Sequence, residues 1–113
     1  MTEPIEIDDA TFQQTVLAGA GPVLVNFTAP WCKPCHALEP VLIELSREYA
    51  GRVQFVNLNA DENPAAAAAY GVQGFPTLIL FRGGREVERQ LGFSTAARIR
   101  QRIDKALDAV AVR

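Results

Sequence analysis

The chain's two cysteines, Cys32 and Cys35, stand two residues apart between runs of opposite periodicity. Before them, Val23-Leu24-Val25-Asn26-Phe27-Thr28 is short, β-branched and almost continuously apolar. That composition predicts a strand covered on both faces, as in a parallel sheet. After them, Leu38, Val41, Leu42, Leu45 and Tyr49 form one helical stripe. A doubly covered strand running into a helix requires layers on both sides of a sheet, which confines the chain to the α/β class. Thiols at such a strand–helix junction can perform redox chemistry, supply half of a metal site, or form a structural clip.

The remaining segments extend this frame. Ile5 and Ile7 flank Glu6 in a short alternating strand; Asp8 and Asp9 can cap a helix in which Phe12 and Val16 share a face. Gly19 to Pro22 turns the chain. Pro40 should kink the helix about one turn beyond the motif, and Ala50-Gly51 stops it. Val53 to Leu58 is the next strand. Asn63 is expected to cap a helix with Pro64 in its first position and Ala65 to Ala69 after it. Thr77 to Phe81 and Glu86 to Leu91 are strands joined by a Gly83-Gly84 hairpin turn. Ser94 or Thr95 caps a last helix with the stripe Ile99, Ile103, Leu107 and Val110. The order β-α-β-α-β-α-β-β-α predicts a mixed central sheet with helices on both faces: parallel strands from the β-α-β units and an antiparallel edge from the hairpin.

With 113 residues and 49% hydrophobic content, a single globular domain, residues 1–113, is expected. A net charge of −2 gives no electrostatic reason to expect nucleic acid or an anionic membrane as partner, and no apolar run reaches spanning length. Met1 to Asp9 is acidic and does not read as a signal peptide. The expected location is therefore cytoplasmic, where a lasting structural disulfide is disfavoured.

The chemistry of the motif follows from its place. Cys32 sits at a helix start, where unpaired N–H groups and the helix dipole favour a thiolate. Pro34 suits the first helical turn, and Lys33 adds a cation; all three point to a lowered pKa for Cys32. Cys35, one turn in, is expected to be more buried. Cys32 thus attacks and Cys35 resolves. A zinc site ordinarily needs four ligands, whereas the chain offers two Cys and one His, so no metal is expected. A clip closing so small a loop constrains the unfolded chain little. Cys-x-x-Cys beside a β-α-β pattern reads as redox.

These residues carry a resemblance. Val23 to Phe27 leading into Ala29-Pro30-Trp31-Cys32-Lys33-Pro34-Cys35, then Pro40, Asn59 to Pro64, Tyr70-Gly71-Val72, Phe75-Pro76-Thr77, Gly83-Gly84 and Gly92, resemble the thioredoxins over roughly residues 5 to 110. The resemblance implies the thioredoxin fold and a protein-disulfide reductase working through a mixed disulfide. It also implies that no cofactor is bound and that an NADPH-dependent flavoprotein thioredoxin reductase would restore the dithiol. It implies a cis Pro76 against the disulfide, backbone pairing of Phe75 with substrate, and a shallow groove of Trp31, Pro34, Gly74, Gly92 and Phe93. Disulfide-containing proteins would be the substrates and a monomer the working form. The alternative is a redox-independent binding module or chaperone-like subunit, which would not need both thiols.

The chain also departs from the family pattern. Lys33 stands where Gly is usual and should make the protein more oxidising, unless it points only into water. Asn26 replaces a buried Asp held to help deprotonate the resolving cysteine, and Asn57 replaces the Lys that pairs with it. Removing both charges together avoids a stranded buried ion, so Asn26 and Asn57 are expected to interact, leaving Cys35 without a carboxylate base. Thr28 replaces an aromatic residue, leaving Trp31 the sole indole. His36 is read as a solvated surface side chain.

Overall fold

The computed structural model describes residues 3–111, with side chains through Asp108; Val110, expected in the last stripe, lies outside the described side chains. Strands β1 (Ile5–Ile7), β2 (Val23–Thr28), β3 (Gln54–Asn59), β4 (Thr77–Arg82) and β5 (Arg85–Leu91) form one sheet in the order β1-β3-β2-β4-β5. Helix α1 (Asp9–Phe12) runs on as a π-helical turn through Leu17. The others are α2 (Lys33–Glu48), α3 (Pro64–Ala69) and α4 (Ala96–Ala111).

Strand β2 is central, and its first five residues are buried, as continuous apolarity requires. Alternation sends Val23, Val25 and Phe27 towards Phe12, Val16 and Ala66, on the α1/α3 side. Leu24 faces Leu38, Leu42, Ile99 and Ile103, on the α2/α4 side. Burying each such Leu or Ile contributes about 1.5–3 kcal/mol. Helices thus cover both faces.

Pairing is parallel for β1–β3 and β2–β3, but β4 runs antiparallel to β2 as well as to β5. The antiparallel part is therefore wider than the expected edge. Helix α3 explains this: its six residues rise only about 9 Å, too little to carry the chain back along the sheet. The chain enters β4 at the end where β3 finished. In the β4–β5 hairpin Gly83 and Gly84 both have positive φ (61° and 77°), as a two-residue type I′ turn demands. A Cβ on Gly84 would come within 2.8 Å of the Leu17 carbonyl oxygen, so the hairpin packs on the end of the π-helical turn.

Two caps differ from expectation. Asp8 alone caps α1, accepting from Thr11 N–H at 2.9 Å. Asp9 instead reaches α3, where its carboxylate accepts from Ala65 and Ala66 N–H, both at 2.9 Å. Asn63 therefore makes no side-chain cap; its Oδ1 accepts from Asp9 N–H at 3.0 Å. Thr95, rather than the buried Ser94, caps α4 by accepting from Arg98 N–H.

Candidate active site

The junction of β2 and α2 builds the site. Cys32 is extended (φ −90°, ψ 109°) and is the N-cap of α2, with Lys33 and Pro34 opening the first turn. A side-chain acceptor at an N-cap is ordinarily an oxygen; here Cys32 Sγ accepts from the Cys35 N–H at 3.2 Å. The sulfur thus lies where an orphan donor and the positive end of a 16-residue helix favour negative charge. The two cysteines are joined as a disulfide, and both are buried (4% and 2% exposed), so the expected contrast in burial is small in this state. Lys33 is exposed, with no ion-pair partner among the described residues.

Ala29, Cys32 and Cys35 form a small buried cluster against which Phe75 packs. The Phe75–Pro76 peptide bond is cis. Trp31 is 65% exposed, which rules out a core role. Its ring meets Phe75 edge-on at 5.8 Å, and its Nε1–H donates to Asp61 Oδ2 at 2.8 Å. Gly92 has φ 89°, and its N–H donates to the Pro76 carbonyl at 2.7 Å, tying the end of β5 to the turn before β4. Gly74 is close beneath Leu91, whose Cδ1 would lie 3.3 Å from an added Cβ. Phe93 is half exposed and Phe75 half buried.

The two amides meet as expected: Asn26 Nδ2–H donates to Asn57 Oδ1 at 3.0 Å. Asn57 Nδ2–H in turn donates to Glu6 Oε2 at 3.1 Å. The three residues occupy one row across β2, β3 and β1. Beside the row is a cleft of about 210 Å³ walled by Glu39 and Leu42, one and two turns beyond Cys35. Asn26 is buried, and its Oδ1 has no hydrogen-bond partner among the described residues.

His36 departs from a freely solvated side chain. Its ring is exposed, but Nε2 lies 2.7 Å from the Pro30 carbonyl and Nδ1 lies 3.8 Å from Glu39, so it braces the loop before Cys32.

Trp31, Cys32, Cys35, Phe75, Pro76 and Gly92 converge at one end of the sheet, while the Asn26–Asn57 row sits under α2. Sequence reasoning missed Asp61, Glu6 and Leu91. Asp61 was hidden in a stretch that carried the resemblance and a helix start but gave Asp61 itself no role. Alternation put Glu6 on the face opposite Ile5 and Ile7 but gave no sign of the strand, or of Asn57, beside it. Leu91 gave no signal, because nothing in a strand pattern shows that its last apolar residue is uncovered.

A disulfide between an N-cap cysteine and a cysteine one turn on, within a mixed five-stranded sheet covered by helices, defines a thiol–disulfide oxidoreductase. The thioredoxin family model matches residues 3–105. The chain is 40% identical over 107 residues to Thioredoxin 1 of Nostoc sp., covering 95% of this chain and all of that one. It is 45% identical over 92 residues to the thioredoxin of Haemophilus influenzae (81% of this chain, 86% of that one). It is 41% identical over 102 residues to the chloroplastic M-type thioredoxin of Chlamydomonas reinhardtii (90% of this chain, 73% of that one). The chain belongs to the thioredoxin family.

Proposed function

We propose that this single-domain protein reduces disulfides in other proteins, with Cys32 as nucleophile and Cys35 as resolving thiol. The observation that carries the assignment of roles is the Cys35 N–H pointing at Cys32 Sγ, which stabilises a thiolate on that sulfur. The Cys32 thiolate attacks one sulfur of the substrate disulfide; a mixed disulfide forms and one substrate thiolate leaves. Cys35, once deprotonated, attacks Cys32 Sγ, forming the Cys32–Cys35 disulfide and releasing the second substrate thiolate. Two electrons pass to the substrate, and no bound cofactor is needed because the dithiol holds them.

Trp31, Gly74, Phe75, Pro76, Gly92 and Phe93 form the substrate rim. Phe75 spans from the sulfurs to the Trp31 ring, and Gly92 is tied to Pro76. Pro34 shapes the first turn, and Asn26 and Asn57 support the site from below. An NADPH-dependent flavoprotein thioredoxin reductase returns the disulfide to the dithiol in the cytoplasm. The protein acts as a monomer, with neither nucleic acid nor membrane as partner.

The test is a trapping experiment with a protein disulfide. Cys35→Ser should accumulate a covalent complex that dithiothreitol releases, and Cys32→Ser should neither trap nor reduce. Reduction surviving in Cys32→Ser would sink the assignment. Equilibration of the parent with glutathione buffers, read by Trp31 emission, separates a reductase from an oxidase or isomerase. A potential near the oxidising end of the dithiol range would favour the latter, which the exposed Lys33 makes worth measuring.

A further inference from the structure

We propose that the apolar rim continues past Gly92 into a basic cleft that binds a carboxylate side chain of the substrate. Disulfides flanked by a large apolar residue and then an acidic one would then be preferred. This rests on the reading of the chain as a protein-disulfide reductase and names the substrates of that same site.

Among the described residues the exposed large apolar side chains are Ile5, Trp31, Leu91 and Phe93. Three of the four lie at the disulfide end: the motif follows β2, whose Phe27 pairs with Thr77, and Thr77 pairs with Leu91. Leu91 and Phe93 flank Gly92, which is fixed to Pro76. An apolar surface continuous with a redox site is positioned to hold the chain on either side of the attacked cysteine.

Beyond Phe93 the same side chains wall a cleft of about 390 Å³ together with Arg89, Arg98 and Arg102, and no Asp or Glu among the described residues lines it. The three guanidiniums are unequally engaged. Arg89 is held by Glu86 (2.7 and 2.8 Å) and the Tyr70 carbonyl. Arg102 lies a loose 3.7 Å from Glu88. Arg98 is exposed and has no ion-pair partner among the described residues. The N-terminus of the 16-residue α4 opens beside the cleft at Thr95, adding positive partial charge. A free arginine, a half-engaged one and a helix start, next to exposed Leu91 and Phe93, complement an apolar residue followed by a carboxylate.

The test uses pre-reduced full-length protein and Trp31 emission to follow single-turnover reduction of symmetric peptide disulfides. The peptides carry leucine beside the cysteine and glutamate about two to four positions on, each matched by a lysine counterpart. The glutamate peptide should react about two- to fivefold faster at low salt, the range of an exposed ion pair. The preference should shrink in 0.5 M salt and reverse in Arg98→Glu. A preference due only to Lys33 would survive that substitution, and survival overturns the proposal. So do equal rates for the two peptides while hydroxyethyl disulfide is still reduced, a result that leaves the reductase reading standing. Failure to reduce any of the three disulfides would overturn both.

Discussion

Asn26 shows how one atom changes a site. Its amide gives a hydrogen to Asn57, which gives one to Glu6, so both amides are oriented by a carboxylate on an edge strand. Asn26→Asp removes the donor once the carboxyl is ionised. Asn57 then either faces an acceptor with an acceptor or flips and abandons Glu6, and a lost buried partner costs about 1–3 kcal/mol. The new carboxyl is buried, so its folded pKa is raised above the unfolded value. A raised carboxyl pKa leaves stability intact below the unfolded pKa and removes it as pH climbs through the folded pKa. The variant's deficit against the parent should therefore be small near pH 4 and largest near pH 8 in urea unfolding, and its pH–rate profile should gain a titration. An unchanged profile with an unchanged urea midpoint at pH 8 would refute this role for the pair. The amide contact was legible in the sequence because two charges were replaced together. Glu6 was not, because a single acidic residue in a short strand carries no sign of which strand will lie beside it.

At the scale of elements, β2, α2 and the hairpin were readable from local rules: continuous apolarity, a helical stripe, and two glycines between strands. The start of α3 was not. Asn63-Pro64 has the local signature of a cap, yet the acceptor comes from Asp9, more than fifty residues earlier. Sequence proximity favoured Asn63; the fold instead brings the Asp9 carboxylate to the Ala65 and Ala66 N–H groups. Asp9→Ala should leave Ala65 and Ala66 N–H without their acceptor and cost about 0.5–2 kcal/mol. The urea midpoint should fall with no change in slope. Asp9→Asn keeps an acceptor and should recover most of the loss. If alanine and asparagine are equally destabilising, charge rather than capping is what Asp9 contributes. The consequence for function is indirect but specific: α3 precedes the loop that delivers Phe75 and Pro76 to the sulfurs.

At the scale of the whole molecule, folding and redox state are linked through Cys32. The disulfide closes a loop of four residues, for which chain entropy assigns a stabilisation of ~2 kcal/mol relative to the reduced chain. An opposing effect acts only in the folded reduced protein. There a Cys32 thiolate gains the Cys35 N–H and the start of α2, an interaction of about 0.3–1 kcal/mol that unfolding abolishes. Because only the thiolate gains, this offset is absent when Cys32 is protonated and grows as pH rises. The oxidised protein should thus resist urea more than the dithiothreitol-reduced protein, and the gap should narrow from pH 5 to pH 8. Trp31 can report both transitions, since it is the sole indole and its ring rests on Phe75 at the sulfurs. A gap that widens with pH, with Cys35→Ser losing urea resistance over the same range, would mean that the fold disfavours the Cys32 thiolate itself, against its role as the attacking sulfur. A gap that narrows would tie the nucleophile's charge to the geometry of one helix start, the feature of the chain around which sheet, turn and substrate rim are arranged.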